Sequence, residues 1–314
     1  MIAILLIALA AGCASALMFA SIVSGALVSL LLFNLAPLPL MVAALGWGSL
    51  AVSIGGIAAA AALGALFGLP SAIVFVLAIA LPAGWLGHLV LLGRPIAAGE
   101  HEATALEWYP VGRILLWIAI FAATLTTVTL LTLGFDGSTI TDTMRSAVVR
   151  LVQSTGAATS DRGIDALVAI MPPVAAIGAM TTLTLNLWLA AKIAATSGQL
   201  RRPWPELRSA ALPPMTLAAL SAAIGFCFVG GLLAITAQIL TAALLMAYAF
   251  TGLAVLHTLT LAVGYRPLWL SCAYAILIAF VWPVLAMVLL GLADAVFGIR
   301  QRYLRGRPPP LPAS

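Results

Sequence analysis

Four polar side chains in otherwise apolar stretches could contact a bound molecule: Thr182, Asn186, Gln238 and His257. An asparagine or glutamine in lipid must find a hydrogen-bond partner, so it commonly faces the interior of a helix bundle. Thr182 and Asn186 are four residues apart, about one helical turn, and therefore share a helical face. We predict that these four residues line a ligand-binding bundle, with hydrogen bonding between helices as the structural alternative.

Two charged residues near the ends of apolar stretches are predicted to have structural roles. Lys192 lies six residues after Asn186, which places the two side chains on different faces of a helix. Because Trp188 lies one turn earlier, Lys192 is predicted to anchor its helix at the lipid head groups. Asp294 precedes a group of arginines, and we predict that it pairs with Arg300 or a neighbour.

Catalytic and metal-binding patterns are absent from the sequence. Cys13, Cys227 and Cys272 lie singly inside apolar runs, as small buried side chains do. The stretch HEATA at 101–105 lacks the second histidine of a zinc-binding HExxH helix, and its charges are predicted to be solvated. There is no GxxxxGK[ST] phosphate loop and no GxSxG elbow. We therefore predict no catalytic residue, no metal site, no cofactor and no ATP hydrolysis by this chain itself.

The composition defines the class of protein. Of the 314 residues, 64% are hydrophobic and 7% are charged, and the mean hydropathy is +1.19. A soluble domain carries about 25% charged residues. A chain as apolar as this one could not bury all of its apolar surface in water. Long apolar runs satisfy their backbone in lipid as helices. The sequence predicts an all-α, polytopic transmembrane bundle whose partner is the lipid bilayer and not a nucleic acid.

About eight apolar runs have the roughly 20 residues that a membrane crossing needs. The predicted spans are 3–33, 38–65, 71–93, 113–133, 168–195, two within 212–263 that turn near Gly230 and Gly231, and 268–293. They form one predicted bundle over residues 1–299, which includes the polar loop 134–167. The remaining residues, 300–314, form a basic, proline-rich tail that is predicted to be disordered.

The polar loop 134–167 contains a helix of another kind. Met144, Val148, Leu151 and Val152 fall on one helical face, which predicts a short amphipathic helix on the membrane surface near 140–154. Lys and Arg counts do not orient the bundle, because eight spans place seven of these residues on each side.

Five small residues spaced four apart mark one face of the first span: Ala8, Gly12, Ala16, Ala20 and Ser24. Small residues let helices approach closely, which is how helices associate where lipid removes the hydrophobic driving force. We predict a packing face whose partner is either another helix of this chain or a second protein.

Three C-terminal stretches carry a resemblance to a family: NLWLAAKIAATSGQLRRPWPEL at 186–207, GLAVLHTLTLAVGYRP at 252–267 and LLGLADAVFGIRQR at 289–302. They resemble the C-terminal half of the YybS-like family, bacterial multi-span membrane proteins of unknown function. The resemblance covers residues 160–302, and over 1–133 it rests on the layout of spans. It implies a multi-pass protein of the bacterial cytoplasmic membrane.

The YybS-like family is similar in fold to the substrate-binding membrane subunits of energy-coupling-factor transporters, which rely on separate ATPase partners. No substrate contact of those subunits maps onto a residue of this chain. The loop 134–167 and the additional spans also depart from their six-helix bundle.

Three functions stay open. The first is a subunit that binds or transports a small molecule or lipid without its own ATPase. The second is a non-catalytic membrane scaffold or assembly factor. The third, an intramembrane enzyme using His257 or Asp294, has the least support, because no nucleophile, base and orienting group can be assembled from the spacing.

Overall fold

The structure is a computed structural model that describes residues 2–96, 105–156, 160–280 and 282–305. The described chain is helical apart from one two-stranded hairpin, and seven of its helices are long and apolar enough to cross a membrane. The predicted class, an all-α polytopic bundle, is confirmed. The α-helices are α1 (Ile2–Ala20), α2 (Leu27–Leu35), α3 (Pro37–Trp47), α4 (Ser49–Phe67), α5 (Leu69–Phe75), α6 (Leu81–Val90), α7 (Val111–Leu131), α8 (Gly137–Thr155), α9 (Asp161–Thr196), α10 (Met215–Phe226), α11 (Gly231–Leu259), α12 (Arg266–Ala279), α13 (Pro283–Phe297) and α14 (Ile299–Arg305).

The first two predicted spans have the wrong boundaries, because glycines interrupt both apolar runs. The run 3–33 breaks at Gly25, where φ is +66°, and the run 38–65 breaks at Gly48, where φ is +89°. Glycine adopts a positive φ at little cost, and such a residue ends a helix. The two predicted spans are therefore three segments, Ile2–Ser24, Leu27–Trp47 and Ser49–Phe67.

The next three spans agree with the predicted positions. The span predicted at 71–93 is Leu69–Val90, in which a π-helical turn over Val76–Ala80 joins α5 to α6. A hairpin of β1 (Gly93–Ile96) and β2 (Ala105–Trp108) leads into α7. Helix α9 has 36 residues, about 54 Å, so it extends beyond the 30 Å of a hydrocarbon core.

The predicted amphipathic helix is α8. Ile140, Met144 and Val148 are buried against the bundle, whereas Leu151, predicted on the same face, is 63% exposed. The Arg145 guanidinium pairs with Asp161, at 3.3 Å, and with Asp165, so α8 is tied to the start of α9.

Asp136 caps the N-terminus of α8. Its carboxylate accepts hydrogen bonds from the Ser138 hydroxyl at 2.6 Å and from the Thr139 N–H at 2.8 Å. These bonds, that of Ser138 first, lower the pKa of Asp136 to about 2. The ionised carboxylate therefore fixes where α8 begins.

The predicted turn between the two helices of 212–263 is confirmed. Gly230 and Gly231 have φ values of +92° and +62° and separate α10 from α11. Helix α10 has only 12 residues, about 18 Å, and is shorter than the span predicted there.

The span predicted at 268–293 is not a single helix. Helices α12 and α13 bend by 119° relative to each other. The Arg266 guanidinium, at the start of α12, donates to the His257 carbonyl at 3.2 Å. The Tyr303 hydroxyl, beyond α13, donates to the Leu259 carbonyl at 3.0 Å. Both ends of the pair therefore lie beside the C-terminus of α11, and the pair forms a re-entrant hairpin.

Contacts between loops define the two ends of the bundle. Arg202 donates to the carbonyls of Val90 and Tyr109, and Arg300 donates to that of Arg208, so the β-hairpin, the loop 197–214 and α14 share one end. We call it the basic end. Arg202 joins the loops of the basic end, and burial lowers the pKa of its guanidinium group. The opposite end, called the far end, contains Gly25, residues 132–156 and the α10–α11 turn, where Gly137 meets Gly231.

The small-residue face of the first span packs within the chain. A Cβ on Gly12 would lie 2.2 Å from the Gly55 carbonyl oxygen of α4, and Ala8 and Ala16 are buried. Of the remaining members, Ala20 is half-buried and Ser24 is exposed. Of the two predicted kinds of partner, the structure shows the internal helix; a protein partner at this face stays a prediction.

Candidate functional site

A cavity of about 1000 Å³ lies at the basic end, between the loop 206–214, α11 and the α13–α14 segment. Helices α11 and α13 approach to backbone contact below it, since a Cβ on Gly252 would lie 1.9 Å from the Met287 carbonyl oxygen. The cavity begins at this contact, where Gly291 and Tyr248 line it, and extends to Arg302 and Arg305 of α14. Two glycines thus bring together the helices that form its inner wall.

A buried ion pair forms part of the cavity wall. The Asp294 carboxylate accepts hydrogen bonds from the backbone N–H and the Nε of Arg300, both at 2.8 Å, and lies 2.7 Å from its Nη2. The Asp294 and Arg300 side chains are 9% and 11% exposed. Arg300 Nη1 also donates to the carbonyls of Arg208 and Ala210, at 2.6 and 2.9 Å. The predicted pairing of Asp294 with Arg300 is confirmed, and it fixes the loop against α13.

Several polar groups around the cavity have no partner among the described residues. Tyr248 is 1% exposed and lines the cavity, yet its hydroxyl makes no hydrogen bond within the described chain. Arg208, Arg302 and Arg305 line the outer part and form no ion pair with a described residue. Buried polar groups in proteins nearly always have partners, in protein or solvent. These side chains can therefore accept a ligand without breaking existing contacts.

Thr182 and Asn186 form a separate polar cluster on α9. Asn186 Nδ2 donates to the carbonyls of Asn34 and Thr182, both at 2.8 Å, and the Thr182 hydroxyl donates to Asn34 Oδ1 at 3.1 Å. Asn186 is buried, and its Oδ1 has no hydrogen-bond partner among the described residues. These contacts join α9 to α2, which is the interhelical bonding that stood as the structural alternative.

Gln238 and His257 do not join that cluster or each other. They are nineteen residues apart on α11, which corresponds to about 28 Å of helix. The Gln238 side chain forms no hydrogen bond with a described residue. His257 Nε2 lies 2.8 Å from the Tyr274 hydroxyl oxygen, a hydrogen-bonding distance. A single small ligand therefore cannot contact both residues. His257 is nevertheless adjacent in sequence to Thr258, which lines the cavity.

Other predicted features lie at the basic end. Lys192 places its Nζ 5.1 Å from the centroid of the Trp204 ring, a contact that holds α9 against the loop that follows. Glu107 pairs with Arg94 across the hairpin, while HEATA at 101–105 lies almost wholly outside the described residues. The first residues of the predicted tail are helical, in α14, and 306–314 lie outside the described chain.

Comparison with family models, with curated proteins and with solved structures gave no match to this chain. Its resemblance to the YybS-like family therefore stays a prediction. The class that the structure defines is a multi-pass helical membrane protein with an arginine-lined cavity at its basic end.

The cavity residues were not predicted as a site, although parts of the signal are in the sequence. The close-packing glycines, Gly252 and Gly291, stand in apolar runs among many small residues. Arg208 and Arg302 are far apart in the chain, and both line the cavity only because α12 and α13 turn back. No spacing rule links residues across such a fold.

Proposed function

We propose that this chain is a membrane-embedded binding or transport subunit that holds a small molecule or lipid in the cavity at its basic end. The observation that carries the proposal is the cavity itself, about 1000 Å³ in volume and lined by arginines, threonines and a tyrosine in a chain with only 7% charged residues. Ligand pockets have volumes of about 300–1000 Å³ and a few convergent polar groups. Charged and polar groups at membrane spans commonly mark functional pathways.

The distribution of positive charge supports a cytoplasmic position for this cavity. Ten described Lys and Arg residues lie at the basic end: Arg94, Arg113, Lys192, Arg201, Arg202, Arg208, Arg266, Arg300, Arg302 and Arg305. The far end has three, Arg145, Arg150 and Arg162. Cytoplasmic loops carry the excess of Lys and Arg, so the basic end faces the cytoplasm. A bacterial cytoplasmic membrane, which the family resemblance implies, stays a prediction.

Transport by such a subunit would need a separate source of energy. The sequence contains no phosphate loop for nucleotide hydrolysis. A cavity that opens at the cytoplasmic end is also accessible to a partner ATPase on that side. The proposal therefore extends to binding by this chain alone and to transport only in a complex.

Purification of the full chain in a mild uncharged detergent, followed by mass spectrometry of bound small molecules and lipids, tests the proposal. Ala295 is exposed and lines the cavity, so Ala295→Trp should fill part of it without removing a polar group. Ala175 is an exposed alanine of α9 that does not line the cavity, so Ala175→Trp is the matched control. Thermal midpoints of both variants establish that they fold.

We expect one or more molecules to co-purify with the wild type and with Ala175→Trp, and to fall by at least about fivefold in Ala295→Trp. Filling a cavity excludes a ligand by steric overlap, whereas a tryptophan at an exposed position outside the cavity does not. Equal recovery of every molecule from both variants would contradict binding in this cavity.

A further inference from the structure

We infer that the ligand of the cavity carries a phosphate group, and that Arg208, Arg302 and Arg305 together with the Tyr248 hydroxyl bind it. This inference rests on the proposed function, since it names the chemical class of molecule held in the same cavity. The ligand is an amphiphile whose phosphate lies at the arginines and whose apolar part lies along the membrane side.

The charge of the cavity selects an anion. Asp294 is already neutralised by Arg300, so it does not offset the other arginines. Among the lining groups without an ion pair there are three positive charges, on Arg208, Arg302 and Arg305, and one negative charge, on Glu206, which leaves +2. A dianionic phosphate monoester would match that excess, and a phosphodiester would match half of it.

The type of cation favours phosphate over a simple anion. All three side chains are arginines, whose planar guanidinium groups donate two parallel hydrogen bonds to phosphate oxygens. Two of them, Arg302 and Arg305, are three residues apart on α14 and so lie on one side of that helix. Arg208 approaches from the opposite wall, on the loop that Arg300 holds in place.

The Tyr248 hydroxyl supplies the inner contact. It is the polar end of a side chain that is 1% exposed, and it has no hydrogen-bond partner within the described residues. Thr251 and Thr258 also line the cavity, but their hydroxyls donate to the carbonyls of Tyr248 and Ala254 in their own helix. Ser209, which also lines the cavity, donates its hydroxyl to the Glu206 carbonyl. Tyr248 is therefore the lining residue whose hydroxyl is unpaired within the described residues.

The outer part of the cavity is bounded by apolar side chains that suit a lipid. Val296, Phe297 and Leu304 line it and are 58%, 59% and 51% exposed. Basic pockets between membrane helices on the cytoplasmic side bind lipid phosphate head groups. A soluble phosphate ester has the same charged group, so the test separates these two sources.

Calorimetric titration of the full chain in an uncharged detergent uses three probes: a short-chain phosphatidate, the matching diacylglycerol and glycerol 3-phosphate. We expect the phosphatidate to bind at least about tenfold more tightly than the diacylglycerol, because only the former carries a phosphate for charge-assisted hydrogen bonds. Glycerol 3-phosphate as tight as the phosphatidate would support the phosphate site but overturn the amphiphilic ligand in favour of a soluble phosphate ester. A phosphatidate that binds no better than the diacylglycerol, with no binding of glycerol 3-phosphate, would overturn the inference.

Matched arginine variants locate the phosphate. Arg208 and Arg201 are exposed arginines of the same loop, and only Arg208 lines the cavity. We expect Arg208→Gln to weaken phosphatidate binding by about tenfold and Arg201→Gln by less than about twofold. Tyr248→Phe should weaken it about threefold to tenfold, as loss of one hydrogen bond does. Equal effects of Arg208→Gln and Arg201→Gln would contradict a phosphate in this cavity.

The two proposals fail in different ways. If Ala295→Trp loses its co-purified molecule while no phosphate probe binds, the cavity holds a ligand of another class and only the phosphate inference is overturned. If Ala295→Trp and Ala175→Trp retain the same molecules and no probe binds, both the cavity function and the phosphate inference are overturned.

Discussion

Asp294 and Arg300 show how much one residue pair can hold together in a chain with few charges. Their pairing was predictable, because a carboxylate six residues before an arginine at a helix end can reach it. The contacts of Arg300 with the carbonyls of Arg208 and Ala210 were not, since about ninety residues separate them in sequence. Local spacing predicted the ion pair, and only the fold revealed that it also fixes a distant loop.

Loss of the Asp294 charge should be costly because Arg300 would remain buried without a counterion. We expect Asp294→Asn to lower the free energy of unfolding by about 3–5 kcal/mol, the range found when one partner of a buried pair is removed. The measurement is reversible unfolding in mixed detergent micelles, followed by circular dichroism.

The exposed pair Arg94–Glu107 provides the control. Its side chains are 80% and 46% exposed, so solvent screens the interaction. Glu107→Gln should change the free energy of unfolding by less than about 1 kcal/mol. Similar small losses in Glu107→Gln and Asp294→Asn would mean that the Asp294–Arg300 pair is solvated.

For two of the polar residues that were predicted as ligand contacts, the structure shows partners within the chain. Thr182 and Asn186 share a face, as their spacing predicted, but Asn34 of α2 already accepts a hydrogen bond from each of them. A polar residue in an apolar run indicates that a partner exists, whether a neighbouring helix or a ligand. The cavity groups without a partner are the buried Tyr248 and three exposed arginines. None of them stands out in the sequence as a lone polar residue in an apolar run does.

At the level of elements, apolar length predicted where the membrane helices are but not where they break. Gly25 and Gly48 divide apolar runs in which the hydropathy continues without interruption. Glycine is common inside membrane helices, so its presence alone does not mark a turn. The turn at Gly230 and Gly231 was predictable because a run of 52 residues is too long for a single crossing.

Close helix contact at glycine is a second property of the elements. A Cβ on Gly252 would lie 1.9 Å from the Met287 carbonyl oxygen, so α11 and α13 would have to separate. We expect Gly252→Ala to lower the thermal midpoint in detergent by several degrees, because overpacking costs about 1–3 kcal/mol. Separation of these helices should also reduce ligand recovery from the cavity beside them.

Gly178 offers the matched control for this substitution. It lies inside α9, another membrane helix, and a Cβ there would meet nothing within 4 Å. Gly178→Ala should leave the thermal midpoint unchanged or raise it slightly, since alanine favours a helix. An equal loss of stability in both variants would contradict close packing at Gly252.

At the level of the whole molecule, the return of α12–α13 to the basic end changes how the basic residues divide between the two ends. When 268–293 is counted as a span, basic residues divide seven to seven. Because the pair returns to the end it started from, the arginines of α14 join those of the hairpin and of the loop 197–214. The tie followed only from counting 268–293 as a crossing, because no Lys or Arg precedes Arg94 and the boundaries of the first spans therefore do not enter the count.

Single cysteines in a chain with Cys13, Cys227 and Cys272 replaced by alanine test this topology. Val263 precedes α12 and Gln301 follows α13, and both are exposed. We expect a membrane-impermeant maleimide to label Val263→Cys and Gln301→Cys from the cytoplasmic side and Ser154→Cys from the other side. Labelling of Val263→Cys and Gln301→Cys from opposite sides would mean that α12 and α13 cross the membrane.

The re-entrant hairpin also bears on how the chain is made. Residues 260–280 and 282–305 return to the end from which they start, so none of these described residues has to be translocated. The buried pair of Asp294 and Arg300 can then form after the crossing helices are in place, without either charge traversing the hydrocarbon core. The cavity would thus be completed after α11 has been inserted, when α12–α14 fold back onto the bundle.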